Sequence, residues 1–251
     1  MTAELDRVRR TWQRLGNDDP LWAVLSSPDK RGGRWAIDEF FASGRAEIDN
    51  QLDIVLPPLG LPTQHRLAVD FGCGAGRLTR ALSRHFSCVI GLDVSTSMVR
   101  TARRLNAEVS NIAFRENPGT QLESIADRSV DFLSCCIVLQ HIPAKLQIGY
   151  IAEFLRVLSP GGVAMFQFVI GSDDSSRGRV YKRLSNRWMN PLRRIAWRRW
   201  NVFEMHPLSE SEVVDLLAKD HGLRLVLAAD DQAAGPGWRS RRWHVSRDAS
   251  A

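Results

Sequence analysis

The sequence predicts a doubly wound α/β fold: a seven-stranded, mostly parallel sheet with helices on both faces, an N-terminal helical cap and a helical insertion after the fifth strand. Three observations carry this. From Arg66 onward, short Val/Ile/Leu-rich runs alternate with helical stretches, as successive strand–helix units do. A glycine-rich turn, Asp70-Phe71-Gly72-Cys73-Gly74-Ala75-Gly76, joins the first such run to the helix after it. An aspartate, Asp93, closes the second run, where a doubly wound sheet presents its ligand site.

The elements follow in order. Val8, Trp12 and Leu15 share one helical face that Gly16 closes, and Asp19-Pro20 opens a short helix through Leu21, Trp22 and Leu25. A third helical run holds Trp35, Phe40 and Phe41 and ends at Gly44; a fourth holds Ile48, Leu52 and Val55 before Pro57-Pro58. Strands are expected at 67–71, 88–92, 112–115, 130–137 and 163–169, then at 224–228 and 239–245. Helices are expected through Leu78, Leu82 and Phe86, and over 95–105, 121–127, 143–158 and 209–219. The domain reading is a helical cap over 1–62 and a main domain over 63–251, with 171–207 as a basic, tryptophan-containing insertion.

Composition sets the outer limits. The 251 residues are 44% hydrophobic and 25% charged, ordinary globular values that exclude a disordered, collagenous or coiled-coil chain. No run approaches the roughly 18 apolar residues of a membrane span, and Met1–Asp6 opens no secretory signal. Cys73, Cys88, Cys135 and Cys136 show no zinc or disulfide spacing. A reduced, cytoplasmic protein is the expectation.

Glycines in the 70–76 turn let the backbone approach a ligand without a Cβ clash. A dinucleotide fingerprint would need a third glycine at 77, where Arg77 stands. With Asp93 ending Val89-Ile90-Gly91-Leu92-Asp93, the pattern resembles the class I S-adenosylmethionine-dependent methyltransferases. The resemblance covers about residues 64–170. It continues at Ser129-Val130-Asp131-Phe132-Leu133-Ser134, at Leu139-Gln140-His141-Ile142-Pro143 and at Leu158-Ser159-Pro160-Gly161-Gly162. It implies a Rossmann-like methyltransferase fold and S-adenosylmethionine as cofactor.

The resemblance also implies roles. Gly72, Cys73 and Gly74 present backbone to the methionine portion, with Asp70 favouring its ammonium and Cys135 closing the set. Asp93 holds the ribose, and Val94 and Met98 wall the adenine. Asn117 stands nearest the place where the family often carries an acid for the adenine amino group, and its side-chain carbonyl is able to serve.

Methyl transfer to a hydroxyl needs alignment, exclusion of water and removal of a proton. His141, just after the fourth strand, is the first candidate base because imidazole titrates near working pH; ordering the Gln140–Pro143 turn is its other reading. His206 ranks second, and His244 faces either into or out of the cleft. The Asn/Asp-Pro-Pro-Tyr/Phe signature of base-nitrogen methyltransferases is missing at Ser134-Cys135-Cys136-Ile137. The adjacent cysteines point to opposite strand faces and read as small buried thiols. The Glu-x-x-Glu-His metal pattern of the ubiquinone-pathway O-methyltransferases meets Ile137, Gln140 and His141 here, so no bound metal is expected.

The net charge of +6 is uneven: eight Arg and one Lys lie between Arg177 and Arg199 with no acid among them, leaving −3 for the rest. Over 192–200, Leu192, Ile195, Ala196 and Trp200 share a face opposite Arg194, Arg198 and Arg199. Such a helix serves as a lid over the cleft, as a contact for anionic membrane, or as the footprint of a nucleic-acid-directed protein. The expected acceptor is a small-molecule hydroxyl, carbohydrate or lipid-linked, with no specific nucleic acid and at most peripheral membrane contact.

Overall fold

The computed structural model describes residues 3–183 and 203–250. Helices α1 (Ala3–Asp18), α2 (Pro20–Val24) and α3 (Ile37–Asp49) precede a run of alternating elements. These are β1 (Leu67–Phe71), α4 (Arg77–Leu82), β2 (Cys88–Asp93), α5 (Thr96–Leu105), β3 (Ile112–Glu116), β4 (Val130–Cys135), α6 (Ala144–Val157) and β5 (Leu158–Ser172). After β5 come α7 (Ser176–Arg183), α8 (Glu210–Leu217), β6 (Leu223–Asp231) and β7 (Trp238–Arg247). The seven strands form one sheet in the order β3-β2-β1-β4-β5-β7-β6, parallel from β3 to β5. Strand β7 is antiparallel to both of its neighbours. The order reverses between β1 and β4, which opens a crevice at their carboxyl ends.

Strand residues alternate between two apolar layers, as a period of two requires. Val69, Leu133 and Phe166 pack with Phe154 and Ile151 of α6 on one face. Their neighbours Ala68, Phe132 and Met165 pack on the other with Leu78, Leu82, Ile48 and Leu52. Burial of such a side chain contributes about 1.5–3 kcal/mol. The N-terminal helices join this body through polar contacts as well: Gln13 accepts from the Ser97 amide (3.1 Å) and the Ser95 hydroxyl (3.3 Å). Among the described residues, no helix is long and apolar enough to cross a membrane.

Three expectations change. Gly44 does not end a helix: α3 runs through it and continues as a π turn over Asn50–Val55. A Cβ at Gly44 would collide with the Arg77 backbone, so this glycine serves close helix approach. No helix forms over 121–127. There Glu153 accepts from the Leu122 amide (2.7 Å), and Arg156 donates to the carbonyls of Leu122 (3.3 Å) and Ile125 (3.4 Å). Side chains of α6 thus satisfy backbone groups of this segment in its non-helical conformation. Strand β4 stops at Cys135 instead of Ile137, because Ile137 takes a left-handed conformation with φ +62°. The amphipathic helix expected over 192–200 lies outside the described residues.

Candidate active site

A pocket opens where β1, β2 and β4 end. Gly72, Gly74 and Gly76 have φ of +73°, +53° and +88°, a region that excludes most side chains. Cβ atoms at Gly72 and Gly74 would also run into Val138 and Val24. The loop is tied down by its own amides: Gly72 and Cys73 donate to the Leu92 carbonyl (2.7 and 3.0 Å), and Gly74 donates to Asp93 Oδ2 (2.9 Å). Asp93 Oδ1 accepts from the Ser95 amide (2.8 Å), and Asp70 accepts from the hydroxyls of Thr79 (2.7 Å) and Ser134 (2.8 Å).

Neither carboxylate makes an ion pair among the described residues. Burial raises both, and with the nearby charge of Asp70 it lifts Asp93 to about 6. Arg77 also lines the pocket, but its guanidinium is held by Glu47 (2.8 Å). Two desolvated carboxylates among Leu5, Val8, Trp12 and Met98 suit a cationic ligand, which would relieve the raised proton affinity of both. Asn117 donates its Nδ2 to the Gly119 carbonyl (3.1 Å), which turns Oδ1 into its remaining acceptor.

A second cavity, of about 480 Å³, meets the first at Val24 and Ile137. A β-branched residue at positive φ is strained by roughly 1–3 kcal/mol and persists only when its surroundings hold it. Here the holding group is Gln167, fully buried on β5, whose Oε1 accepts from the Ile137 amide (3.0 Å). Gln167 Nε2 donates to Gln140 Oε1 (3.0 Å), and Gln140 Nε2 lies 3.2 Å from His141 Nε2. His141 Nδ1 lies 2.9 Å from the Glu204 carbonyl oxygen. A carbonyl only accepts, so Nδ1 carries the hydrogen and Nε2 carries the lone pair. The ring sits 5.4 Å from both Trp12 and Phe203. Burial, only partly offset by the Glu204 bond, pushes His141 down to about 4, so it is neutral at working pH.

Eight of the nine expected cofactor residues line the first pocket: Asp70, Gly72, Cys73, Gly74, Asp93, Val94, Met98 and Asn117. The ninth, Cys135, turns into the core, and Cys136 faces the pocket in its place, because adjacent strand residues take opposite sides. His141 lines the second cavity. His206 stands beside the wall: its amide donates to the Gln140 carbonyl (2.8 Å) and its ring lies 3.5 Å from Glu204. His244 points away from both cavities to Gln51 (2.8 Å), and burial pushes it down to about 4. Sequence reasoning gave no site role to Gln140, Gln167, Tyr181 or the Gly235–Trp238 loop; of these, only Gly235-Pro236-Gly237 carries a local signal, that of a turn.

Residues 68–162 match a family described as a methyltransferase domain. A ubiquinone biosynthesis O-methyltransferase of Psychrobacter arcticus is 30% identical over 171 residues, covering 66% of this chain and 63% of that protein. Its counterpart from Paracidovorax citrulli is 30% identical over 110 residues, covering 43% and 45%. An N-demethylindolmycin N-methyltransferase of Streptomyces griseus is 28% identical over 97 residues, covering 38% and 40%. The chain therefore spans less than two thirds of the length of these curated relatives. In fold it is similar to a magnesium protoporphyrin IX methyltransferase of Synechocystis, with TM-score 0.64 at 19% identity, covering 97% of this chain and 99% of that one. With its glycine turn, paired aspartates and sheet order, the chain carries a methyltransferase domain over residues 68–162 and is similar there to the class I S-adenosylmethionine-dependent methyltransferases.

Proposed function

We propose that the chain methylates the hydroxyl of a small molecule bound in the second cavity. One observation carries this: a cation-seeking pocket and a cavity bearing the His141 lone pair share the walls Val24 and Ile137. S-adenosylmethionine supplies an electrophilic methyl group on a cationic sulfur. Asp93 holds its ribose, Asp70 and the Gly72–Gly74 backbone its methionine end, Val94 and Met98 its adenine, and Asn117 Oδ1 the adenine amino group.

His141 takes the acceptor's proton at Nε2. Its Nδ1–H is fixed on the Glu204 carbonyl, which selects the tautomer a base needs. The acceptor hydroxyl displaces the long Gln140 contact at 3.2 Å. His206 supports the 203–206 segment from behind and is not given the proton. A carbohydrate hydroxyl, free or lipid-linked, is among the acceptors that a ring-lined cavity accommodates.

Labelled S-adenosylmethionine, offered with hydroxylated metabolites, sugars and RNA side by side, tests the reading. Label on a small-molecule oxygen is expected. Label confined to RNA, or to nitrogen, overturns it.

A further inference from the structure

Resting on the methyl-transfer reading, we propose that the second cavity is a subsite for a small anionic acceptor with a stackable ring: the ring lies against Tyr181 and Trp238, and the anion is held by Arg177. These residues line the cavity together with Gln140, His141 and Phe203.

Charge argues first. The described lining holds one cation, Arg177, and no carboxylate. Two other cations of α7, Arg179 and Lys182, are already engaged. Arg179 donates to the Asp174 carbonyl (2.7 Å), and Lys182 pairs with the Asp174 carboxylate (2.6 Å). The Asp173 carboxylate accepts from the Ser175 amide and hydroxyl and from the Gly237 amide. Arg177 makes no ion pair among the described residues, and residues 184–202 contain no Asp or Glu that could neutralise it. The next acid, Glu204, faces Arg7 (4.0 Å) and His206 (3.5 Å). A guanidinium with no ion pair among the described residues, beside a described lining without acids, selects a carboxylate or phosphate, which its planar fork binds at two oxygens.

The wall is also built, with the ring surface held in place. Asp173 and Gly237 exchange two bonds: the Asp173 amide donates to the Gly237 carbonyl (3.1 Å), and the Gly237 amide donates to Asp173 Oδ2 (3.0 Å). Gly237 has φ +94°, and a Cβ there would press on the Tyr181 ring and on Arg177 Cβ. The missing Cβ lets α7 dock on the β6–β7 loop. Docking stacks Tyr181 on Trp238, 5.0 Å between centroids and 19° between planes. Such a stack offers a flat apolar surface to an aromatic ring or to the C–H face of a sugar. The two cavities thus have opposite preferences: buried acids for the cationic cofactor, and for the acceptor an arginine without an ion pair among the described residues. An anionic acceptor is drawn toward the sulfonium it attacks.

The test titrates the protein saturated with S-adenosylhomocysteine, using two matched pairs of probes: para-hydroxybenzoate against para-hydroxybenzamide, and glucose phosphate against glucose. In at least one pair the anionic member should bind about tenfold or more tighter by calorimetry, the gain expected of a charge-assisted hydrogen bond. The pair that discriminates identifies the source, aromatic acid or phosphorylated sugar. Arg177→Gln should reduce that discrimination to about threefold or less, and Trp238→Ala should weaken the bound member by about tenfold, with S-adenosylhomocysteine affinity kept in both variants. Equal binding of anion and neutral partner, binding of neither pair, or discrimination that survives Arg177→Gln overturns the subsite while leaving methyl transfer standing. Failure of S-adenosylhomocysteine to bind the wild-type protein overturns the methyl-transfer reading and this proposal together.

Discussion

The cofactor pocket and the acceptor cavity share two walls and are assembled in opposite ways. The pocket's polar groups, Asp70 to Gly74, Asp93 and Asn117, lie within fewer than fifty residues, each at the end of a successive strand. The acceptor cavity draws on five segments spread from Val24 to Trp238. Parallel strands deliver their carboxyl ends to one edge, so a local motif places these polar groups of the first, while Leu5, Val8, Trp12 and Val24 from the N-terminal helices supply apolar wall. The second exists only after α2, α7 and the β6–β7 loop have closed around the end of β4. A cofactor site is therefore inherited with the topology, whereas the acceptor site belongs to this chain's own packing.

The largest expected effect breaks the acceptor side alone. His141→Ala should lower kcat about 10²–10⁴-fold, the range for loss of a general base, with cofactor affinity nearly unchanged. Turnover equal to wild type in the folded variant would return His141 to ordering the 138–142 turn. The next breaks the cofactor side alone: Asp93→Ala should weaken S-adenosylmethionine at least about tenfold, since charge-assisted bonds contribute about 1.5–3 kcal/mol. Unchanged affinity in calorimetry, with the fold intact, would remove Asp93 from the site.

Acidity separates the two sides without mutation. Asp93 has its pKa raised to about 6 in the free protein, and the cationic cofactor prefers the ionised form. Affinity should be flat above that pH and fall about tenfold per unit below it, by linkage. At saturating cofactor, turnover should instead decline only toward pH 4, where His141 becomes protonated and loses its lone pair. A single common limb in both measurements would contradict the division of labour.

The smallest expected effect tests the glutamine relay that joins the sides. Gln167→Leu leaves the Ile137 amide and Gln140 Oε1 without partners, each costing about 1–3 kcal/mol. Thermal unfolding should shift down by several degrees, about 2–4 °C per kcal/mol at this size. Gln167→Glu should recover much of that loss at low pH, because a protonated carboxyl both accepts from Ile137 and donates to Gln140. Equal melting of the two variants at every pH would show that the relay does not hold the Ile137 turn.

Much of the cofactor side is legible before any fold is known. Glycines at 72, 74 and 76 announce positive φ, and Asp93 lies at a fixed distance along alternating strands; eight of nine expected contacts line the pocket. Cys135 alone of the nine turns into the core while Cys136 faces the pocket: the strand ends at Cys135, two residues before the expected Ile137, and successive side chains take opposite sides. Gly44 and the 121–127 segment mislead for another reason. Their local preferences are overridden by the Arg77 backbone and by Glu153 and Arg156, partners that proximity in sequence does not reveal.

From the sequence alone came the strand–helix alternation, the glycine turn, the class of cofactor and the basic composition of 177–199. The first two rest on backbone conformation and hydrophobic period, which neighbouring residues dictate, and the class of cofactor rests on the resemblance that the motif set carries. Tertiary structure alone decided that Gln167 holds a strained Ile137, that His141 is neutral with its lone pair on Nε2, and that Arg177, Tyr181 and Trp238 meet at one cavity. Those properties arise from burial and from contacts between residues far apart in sequence, as in the bond from Ile137 to Gln167 and the stack of Tyr181 on Trp238. Desolvation and long-range contact have no local signature, because they depend on what the rest of the chain brings to the same place.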